Sequence, residues 1–378
     1  MTEDGLPSSG SEGTAGGIPQ SPQTPLPPHG MQSTTSMEPT SPLRLKLRRV
    51  TEISIIGGSA ISAVLPLIAL VAMLVVLFLE AIPAIRFNGW GILTGSTWNV
   101  GNAYAAFQHS HGVTHLVGAA YGAWPLIVGT LLTSAIAIIV GLPIAVGAAI
   151  LVVEKLPNAI ASVIGLFLEV LAGVPSAVIG LWGILTFGPW LAAHIYPWLS
   201  HMPNVPVLNY FRGNFNRAGQ GLLTAGLVLA AMIIPIIAAT TRDLLRQVPE
   251  ATKEGAEALG MTSAEVFKTV QARWVRTGVI GAAVLGLGRA LGETIAMALV
   301  AGGIQYVPSN IYQGASTIAA AIVLQLDAAL TDPTGLAVKT LAELALILMV
   351  ITLSVNVLAR VIVRRAAKGA VLPVGAGF

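Results

Sequence analysis

The chain has no cysteine among its 378 residues, and charged residues make up only 10% of it. Without cysteine it can form no disulfide, no thiolate metal site and no thiol nucleophile. The shortage of charge is more informative, because a chain that is 54% hydrophobic has too little polar surface to coat a water-soluble globule. The composition therefore predicts a polytopic membrane protein.

Other features that the sequence lacks argue against ATP hydrolysis, nucleic-acid binding and metal binding. No Gly-x-x-x-x-Gly-Lys-Ser/Thr loop occurs, so this chain lacks the usual cradle for ATP phosphates and we expect it not to be an ATP-hydrolysing enzyme. The basic residues flank apolar segments, which favours a role in topology over a nucleic-acid partner. His109, His111 and His115 cluster without a nearby carboxylate or cysteine, so we predict a solvated loop and no metal site.

Six segments are apolar over the ~20 residues that are needed to cross the ~30 Å hydrocarbon layer. They predict an all-α transmembrane helix bundle with spans near residues 53–80, 124–153, 159–187, 221–240, 278–304 and 336–363. The apolar run 318–326 is too short to cross, and we predict an interfacial or re-entrant helix there.

The two ends of the chain are predicted to be cytoplasmic. Residues 1–42 hold eight of the 23 prolines and no Lys or Arg, which is typical of a disordered tail. Residues 43–365 are the predicted transmembrane domain. Alternate threading of its spans puts fifteen Lys and Arg, Lys368 of the C-terminal tail included, on the side of both termini and four on the other. The positive-inside rule then predicts a cytoplasmic tail at 1–42 and another at 366–378.

Between the fourth and fifth spans, residues 249–276 predict a helix hairpin. Pro249 and Glu250 suit the first turn of a helix, and Gly260 suits its left-handed end. A second helix is predicted to start at Thr262-x-x-Glu265, a capping box. These features alone also fit an ordinary amphipathic hairpin on the protein surface.

The hairpin and its surroundings resemble a known family. Glu254-Gly255-Ala256-Glu-Ala-Leu-Gly260 resembles the EAA-x-x-x-G loop of ABC-importer permeases. Three further strings look like phosphate-importer permeases of the PstC type: Ala172-Gly173-Val-Pro175-Ser176, Thr241-Arg242-Asp243-Leu-Leu-Arg-Gln-Val-Pro249, and Leu285-Gly-Leu-Gly-Arg289-Ala-Leu-Gly-Glu293-Thr294. The resemblance covers most of residues 50–363.

The resemblance implies a type I-like permease fold in the plasma (inner) membrane, with a coupling helix that docks on an ATPase through Glu254, Gly255, Ala256 and Gly260. It implies a heterodimer with a second, PstA-like permease, two cytosolic ATPase subunits that bind ATP and Mg, and an extracytoplasmic phosphate-binding protein. This chain would bind no cofactor, and its cargo would be inorganic phosphate.

Arg289 and Glu293 are four residues apart in the fifth predicted span, which would place them on one helix face. Buried charges in a membrane are costly, so the two side chains should pair or face an aqueous cavity. By resemblance they are the translocation-pathway pair, where a guanidinium suits phosphate oxygens. The alternative is a salt bridge that only fixes helix register.

Two hydroxyl residues are further candidates for the pathway. Ser176 follows Gly173-Val-Pro175, where proline can break the span and expose polar groups to an anion, although a packing kink would look the same. Thr130 lies within the second span, where buried hydroxyls often bond only to their own helix.

Three other functions remain open at this point. The cargo could be another oxyanion, such as sulfate or molybdate, carried by the same architecture. A secondary anion transporter would use Arg289 and Glu293 as a coupled gate but leaves the hairpin unexplained. A non-transporting scaffold is supported only by the low-complexity tail.

Overall fold

The computed structural model describes residues 42–201, 209–303 and 305–368, and at 42–61, 63 and 362–368 it describes the backbone alone. The chain divides into two units, Met1–Leu67 and Ile68–Phe378. Helix α1 belongs to both, and the candidate site residues discussed below lie in the second. The predicted tail at 1–42 falls outside the described residues except for its last position. The last helix runs to Lys368, and the predicted boundary between the transmembrane domain and the C-terminal tail at 366 stays a prediction.

The described chain is mostly helical. In chain order the helices are α1 Pro42–Asn88, α2 Gly91–Thr94, α3 Trp124–Glu154, α4 Asn158–Ala172, α5 Ser176–Trp182, α6 Gly188–His194, α7 Tyr196–Ser200, α8 Leu222–Arg246, α9 Glu250–Ala258, α10 Ser263–Val266, α11 Ala272–Leu291, α12 Ile295–Val300, α13 Ile318–Leu330 and α14 Leu336–Lys368. Two π-helical turns, Gly183–Phe187 and Phe267–Gln271, join α5 to α6 and α10 to α11. A 3-10 turn spans Asn209–Phe211.

The structure confirms the helix bundle with six spans. Within the described residues, the helices long and apolar enough to cross a membrane are Val64–Asn88, Trp124–Glu154, Ser176–His194, Leu222–Arg246, Ser263–Leu291 and Leu336–Val361. The predicted short helix is α13, whose 13 residues are fewer than a crossing needs.

Two predicted spans each contain a break in the structure, and the break in the third span is the one that Pro175 indicated in the sequence. The span predicted at 159–187 ends as a helix at Ala172 and resumes at Ser176, since Pro175 has no amide hydrogen to continue the ladder. The span predicted at 278–304 ends at Leu291 and resumes at Ile295. That span also starts earlier than predicted, at Ser263, because the second arm of the hairpin runs on into the membrane helix without interruption.

Helix α8 is the centre of the bundle. In its most apolar window 67% of the residues are buried within the chain, compared with 6–28% in the other five spans. It packs on α3, α4, α11 and α12, and its residues Val228, Leu229, Ile233 and Ile237 belong to the largest buried cluster. The other spans leave apolar faces exposed that suit lipid or neighbouring subunits.

Four short strands add a minor β component to the predicted all-α fold. They are β1 Trp98–Asn99, β2 Gln108–Ser110, β3 Val113–His115 and β4 Ala120–Tyr121. Pairing is antiparallel, β1 with β4 and β2 with β3. Two histidines of this loop make local hydrogen bonds, His109 with Thr114 and His115 with Ser110.

Candidate translocation site and coupling helix

The breaks in the third and fifth spans lie near each other. Gly180 in α5 packs on α12 so closely that a Cβ at this position would be 2.8 Å from the Cα of Ala296. Gly180 is five residues after Pro175, and Ala296 is three residues after Glu293. The helices that follow the two breaks, α5 and α12, therefore pack on each other, and α12 also packs on the central helix α8.

Arg289 and Glu293 form no ion pair with each other among the described residues, so of the two predicted arrangements only an aqueous cavity is left for this structure. Helix α11 ends at Leu291, so Glu293 belongs to the break and not to the helix that carries Arg289. Across the described residues, no ion pair within 4.0 Å involves either side chain. Glu293 is 9% exposed. Whether both residues line the pathway stays a prediction.

Arg289 faces an open groove between α11 and α14. The groove has a volume of about 770 Å³, and its walls are formed by Gly281, Val284, Leu285, Gly288, Arg289, Thr352, Asn356 and Arg360. The Arg289 side chain is exposed in the isolated chain. An unpaired guanidinium in a membrane span is costly, so this surface must meet a partner, water or an anion.

Ser176 is the first residue of α5, directly after the break at Gly173–Pro175. It is half-buried, and no hydrogen bond of its hydroxyl is found among the described residues. The hydroxyl is therefore available to a ligand, which agrees with the sequence-based hypothesis without testing it.

Thr130 has a different environment. Its buried hydroxyl donates to the carbonyl of Leu126 at 2.7 Å and accepts the backbone N–H of Ile318 at 2.9 Å. Ile318 is the first residue of α13, so Thr130 links α3 to the start of that helix and satisfies an amide that has no partner within α13. The hydroxyl thus donates one hydrogen bond and accepts another within the protein.

A buried cation missed by the sequence analysis lies at Arg242 in α8. Its Nη2 is 2.9 Å from Oε1 of Glu169 in α4 and 3.0 Å from Oδ1 of Asp243. Gly165 makes room for the guanidinium, since a Cβ there would be 2.4 Å from Nη1. The predicted fourth span ends at residue 240, which puts Arg242 outside the membrane, whereas helix α8 runs to Arg246. The sequence does contain one indication of this ion pair. Glu169 is an acidic residue inside the predicted span 159–187, and a carboxylate within a membrane span calls for a cationic partner.

The hairpin has the predicted local structure. Pro249 precedes α9, Gly260 adopts a left-handed φ of +83°, and Thr262 and Glu265 form the capping box, with Thr262 N–H 2.8 Å from Glu265 Oε2. Glycine suits this φ because it has no Cβ. The predictions of two helix starts and of the turn at Gly260 are confirmed.

The exposed face of α9 differs from the predicted set in two respects. Ala256 is only 7% exposed and faces the body of the chain, whereas Glu254, Gly255 and Gly260 are exposed. Leu259, which the sequence analysis had not singled out, is 82% exposed. A large apolar side chain in that position, beside a glycine with open space around it, suits a contact with another protein.

Comparison with known proteins gives the family. Residues 141–368 match the family described as "Binding-protein-dependent transport system inner membrane component". Phosphate transport system permease protein PstC 1 of Mycobacterium tuberculosis is 57% identical over 302 residues, which are 79% of this chain and 89% of that protein. The Mycobacterium bovis protein of the same name has the same values. Phosphate transport system permease protein PstC of Pasteurella multocida is 39% identical over 283 residues, 73% of this chain and 86% of that protein.

The match to the family covers more than half of the chain and includes α8, the hairpin and both sides of the break at Glu293. Identity to the mycobacterial relatives extends the similarity over most of the helix bundle. The chain belongs to the binding-protein-dependent transport inner-membrane components, and within them to the PstC-type ABC permeases.

Proposed function

We propose that this chain is the membrane-spanning permease subunit of an ATP-driven importer of inorganic phosphate. Its relatives at 57% and 39% identity are named phosphate transport system permeases. The chain is a non-catalytic subunit, as in its family, and a partner supplies ATP hydrolysis. The observation that carries the anion assignment is Arg289, whose guanidinium faces the groove with no carboxylate partner among the described residues.

Arg289 would be the main electrostatic contact for phosphate. A guanidinium stays charged at physiological pH and offers parallel N–H donors that match two phosphate oxygens. Glu293, which lies in the neighbouring break, would hold Arg289 only in a state that brings the two side chains together. The half-buried hydroxyl of Ser176 would add a donor beside the second break.

Thr130 fits this pathway less well. Its hydroxyl already makes two hydrogen bonds inside the protein. We therefore propose a packing role for Thr130, in place of contact with the transported anion.

The proposed partners follow from surfaces that this chain cannot cover alone. The groove with Arg289 and the exposed apolar spans would meet a second, PstA-like permease in a heterodimer. The face of α9 with Glu254, Gly255, Leu259 and Gly260 would dock on one of two cytosolic ATPase subunits, which bind ATP and Mg. An extracytoplasmic phosphate-binding protein would deliver the anion.

The orientation is part of the proposal. The family consists of inner-membrane components, and the chain is a multi-pass membrane protein. We propose cytoplasmic N- and C-termini, with residues 1–42 as a disordered tail, 43–365 as the transmembrane domain and the remainder as a C-terminal tail. Docking of α9 on a cytosolic ATPase requires this orientation.

The test is phosphate uptake by the complete importer in proteoliposomes. The permease pair and the ATPases are reconstituted with the binding protein, and uptake of radioactive phosphate is followed with and without ATP. We expect ATP-dependent uptake that unlabelled phosphate suppresses and that equal concentrations of sulfate or molybdate leave unchanged. Suppression by sulfate or molybdate would favour the other oxyanions, and uptake by this chain alone without ATP would favour a secondary transporter.

Arg289→Ala is the informative variant in the same assay. Uptake should be abolished while the complex still purifies intact, because the residue is exposed and supports no described contact. Arg289→Lys is the matched control, which keeps the charge but not the bidentate geometry, and it should keep part of the activity. Normal uptake by Arg289→Ala would contradict the assignment.

A further inference from the structure

The last span carries a row of polar side chains that neither the family motifs nor the proposed site includes. Thr352, Asn356 and Arg360 follow each other at four-residue intervals in α14, so they lie on one face of the helix. All three line the groove that Arg289 faces. Leu353 and Leu358 on other faces are each 61% exposed and apolar, as expected for contact with lipid or an apolar partner.

Two polar groups in this row lack partners among the residues that the structure describes. Oδ1 of Asn356 is buried and has no hydrogen-bond partner among the described residues. Arg360 is exposed, and no carboxylate of the described chain lies within 4.0 Å of it. Ionisable residues within membrane spans face aqueous cavities or partners because exposure to lipid is costly. The row therefore points to water or a polar ligand in the groove.

The opposite wall of the groove contains two glycines, which have no side chain to fill it. It carries Gly281 and Gly288 from α11, and a Cβ at Gly281 would meet nothing within 4 Å. A Cβ at Gly288 would approach Asn356 only to 3.8 Å. The volume of about 770 Å³ suffices for a hydrated oxyanion, because a water molecule in the liquid takes up only about 30 Å³.

The three residues of the row lie at different depths along α14. Thr352 and Arg360 are eight residues apart, which is about 12 Å along a helix. Arg360 is the member closest to the basic end of α14, where Arg364, Arg365 and Lys368 follow in the sequence. Such an end belongs to the cytoplasmic side under the positive-inside rule.

We infer that Thr352, Asn356 and Arg360 line the exit half of the anion pathway, between Arg289 and the cytoplasm. Arg360 provides a second positive charge, to which the anion moves after leaving Arg289. Thr352 and Asn356 provide a hydroxyl and an amide that replace part of its hydration between the two charges. This inference rests on the proposed phosphate-import function and adds the residues that release the anion on the cytoplasmic side.

The absence of cysteine permits a direct test by accessibility. Single cysteines replace Thr352 or Asn356 in the groove, and Leu353 or Leu358 serve as controls on the same helix. The complete importer in proteoliposomes is treated with a negatively charged, membrane-impermeant thiosulfonate, and modification of this chain is measured by mass. We expect reaction at Thr352→Cys and Asn356→Cys, slowed severalfold by inorganic phosphate, and none at the two leucine positions.

A phosphate group could also belong to an anionic lipid, so the labelling is repeated in bilayers with and without phosphatidylglycerol. Protection by inorganic phosphate in both bilayers supports the exit pathway. Protection that requires phosphatidylglycerol and ignores inorganic phosphate would overturn it in favour of a lipid site. Equal reaction on all faces of α14, or no reaction in the groove, would also overturn it.

Transport provides the second readout. Arg360→Gln should lower the maximal rate of phosphate uptake by roughly tenfold, with Arg360→Lys retaining more activity and ATP hydrolysis still stimulated by the binding protein. Gly281→Leu should block uptake by filling the groove, since a Cβ at this position meets nothing within 4 Å. Wild-type rates of uptake in both Arg360→Gln and Gly281→Leu would overturn the inference. They would leave the proposed function intact, because that function fails only if the wild-type importer does not carry phosphate.

Discussion

The guanidinium of Arg242 lies 2.9 Å from the carboxylate of Glu169, measured from Nη2 to Oε1, and ties the central helix α8 to α4. The Arg242 side chain is 8% exposed, whereas those of Glu169 and Asp243 are 58% and 55% exposed. A buried cation thus depends on two carboxylates that still reach solvent in the isolated chain. Loss of a carboxylate should harm the fold more than removal of the cation, because it leaves Arg242 buried with less compensation.

Glu169→Gln is therefore expected to destabilise the protein. Breaking a fully buried pair costs about 3–5 kcal/mol and an exposed one less than about 1 kcal/mol, so this half-exposed pair should lie between these limits. Thermal unfolding in detergent measures the effect. Arg242→Met should cost less, and the double variant should be more stable than the sum of the single changes predicts. Strict additivity of the three free energies would contradict a direct interaction.

The same pair should affect transport. Helix α8 continues through Gln247 and Pro249 into the proposed coupling helix α9, and α4 ends at the break before Ser176. The ion pair thus joins the element that would receive force to the element beside the proposed anion site. We expect Arg242→Met to lower phosphate uptake relative to ATP hydrolysis in the reconstituted importer, with subunit composition unchanged. An unchanged ratio would leave the pair with a role in stability alone.

Gly165 should be needed for the ion pair to form. A methyl group at this position would lie 2.4 Å from Nη1 of Arg242, so Gly165→Ala forces the guanidinium away from Glu169. The expected result is a lower unfolding temperature, with no further decrease when Arg242→Met is combined with it. Gly147→Ala in α3 is the control, because a Cβ there meets nothing within 4 Å. Equal effects of both alanine substitutions would show that general helix packing is responsible.

Local signals explain what could be predicted from the sequence. The six apolar runs, the turn at Gly260 and the capping box of Thr262 each depend on neighbouring residues, and all are found in the structure. The contact between Arg242 and Glu169 joins positions 73 residues apart, and only the packing of α4 on α8 reveals it. No spacing rule specifies that packing.

The break at Glu293 shows a second reason why part of the site could not be predicted from the sequence. The third span contains Pro175, which provides a chemical cause for a break, but the fifth span has no proline between Gly278 and Ile304. Four-residue spacing then predicted one face for Arg289 and Glu293, whereas the helix ends between them at Leu291. Apolar periodicity alone does not distinguish a continuous membrane helix from two helices joined by three residues.

Leu259 provides a test of the proposed docking face on α9. It is 82% exposed and follows the helix directly, so Leu259→Glu should weaken ATPase binding through loss of apolar contact without harming the fold. We expect less ATPase in the purified complex and reduced uptake. Leu330→Glu, at a leucine of α13 that is 66% exposed, is the matched control and should retain the ATPase. Full retention by Leu259→Glu would exclude this residue from the interface.

Substitutions at Thr130 test whether its hydroxyl has a packing role or contacts the anion. Thr130→Val keeps the shape of the side chain but leaves the N–H of Ile318 without its acceptor, and a buried unsatisfied group of this kind costs about 1–3 kcal/mol. The variant should therefore unfold at a lower temperature, while Thr130→Ser, which keeps the hydroxyl, should stay close to the wild type. In transport, Thr130→Val should have an unchanged KM for phosphate once the rate is corrected for the amount of intact complex. A raised KM with normal stability would instead return Thr130 to the pathway, because the hydroxyl would then act on the anion and not on α13.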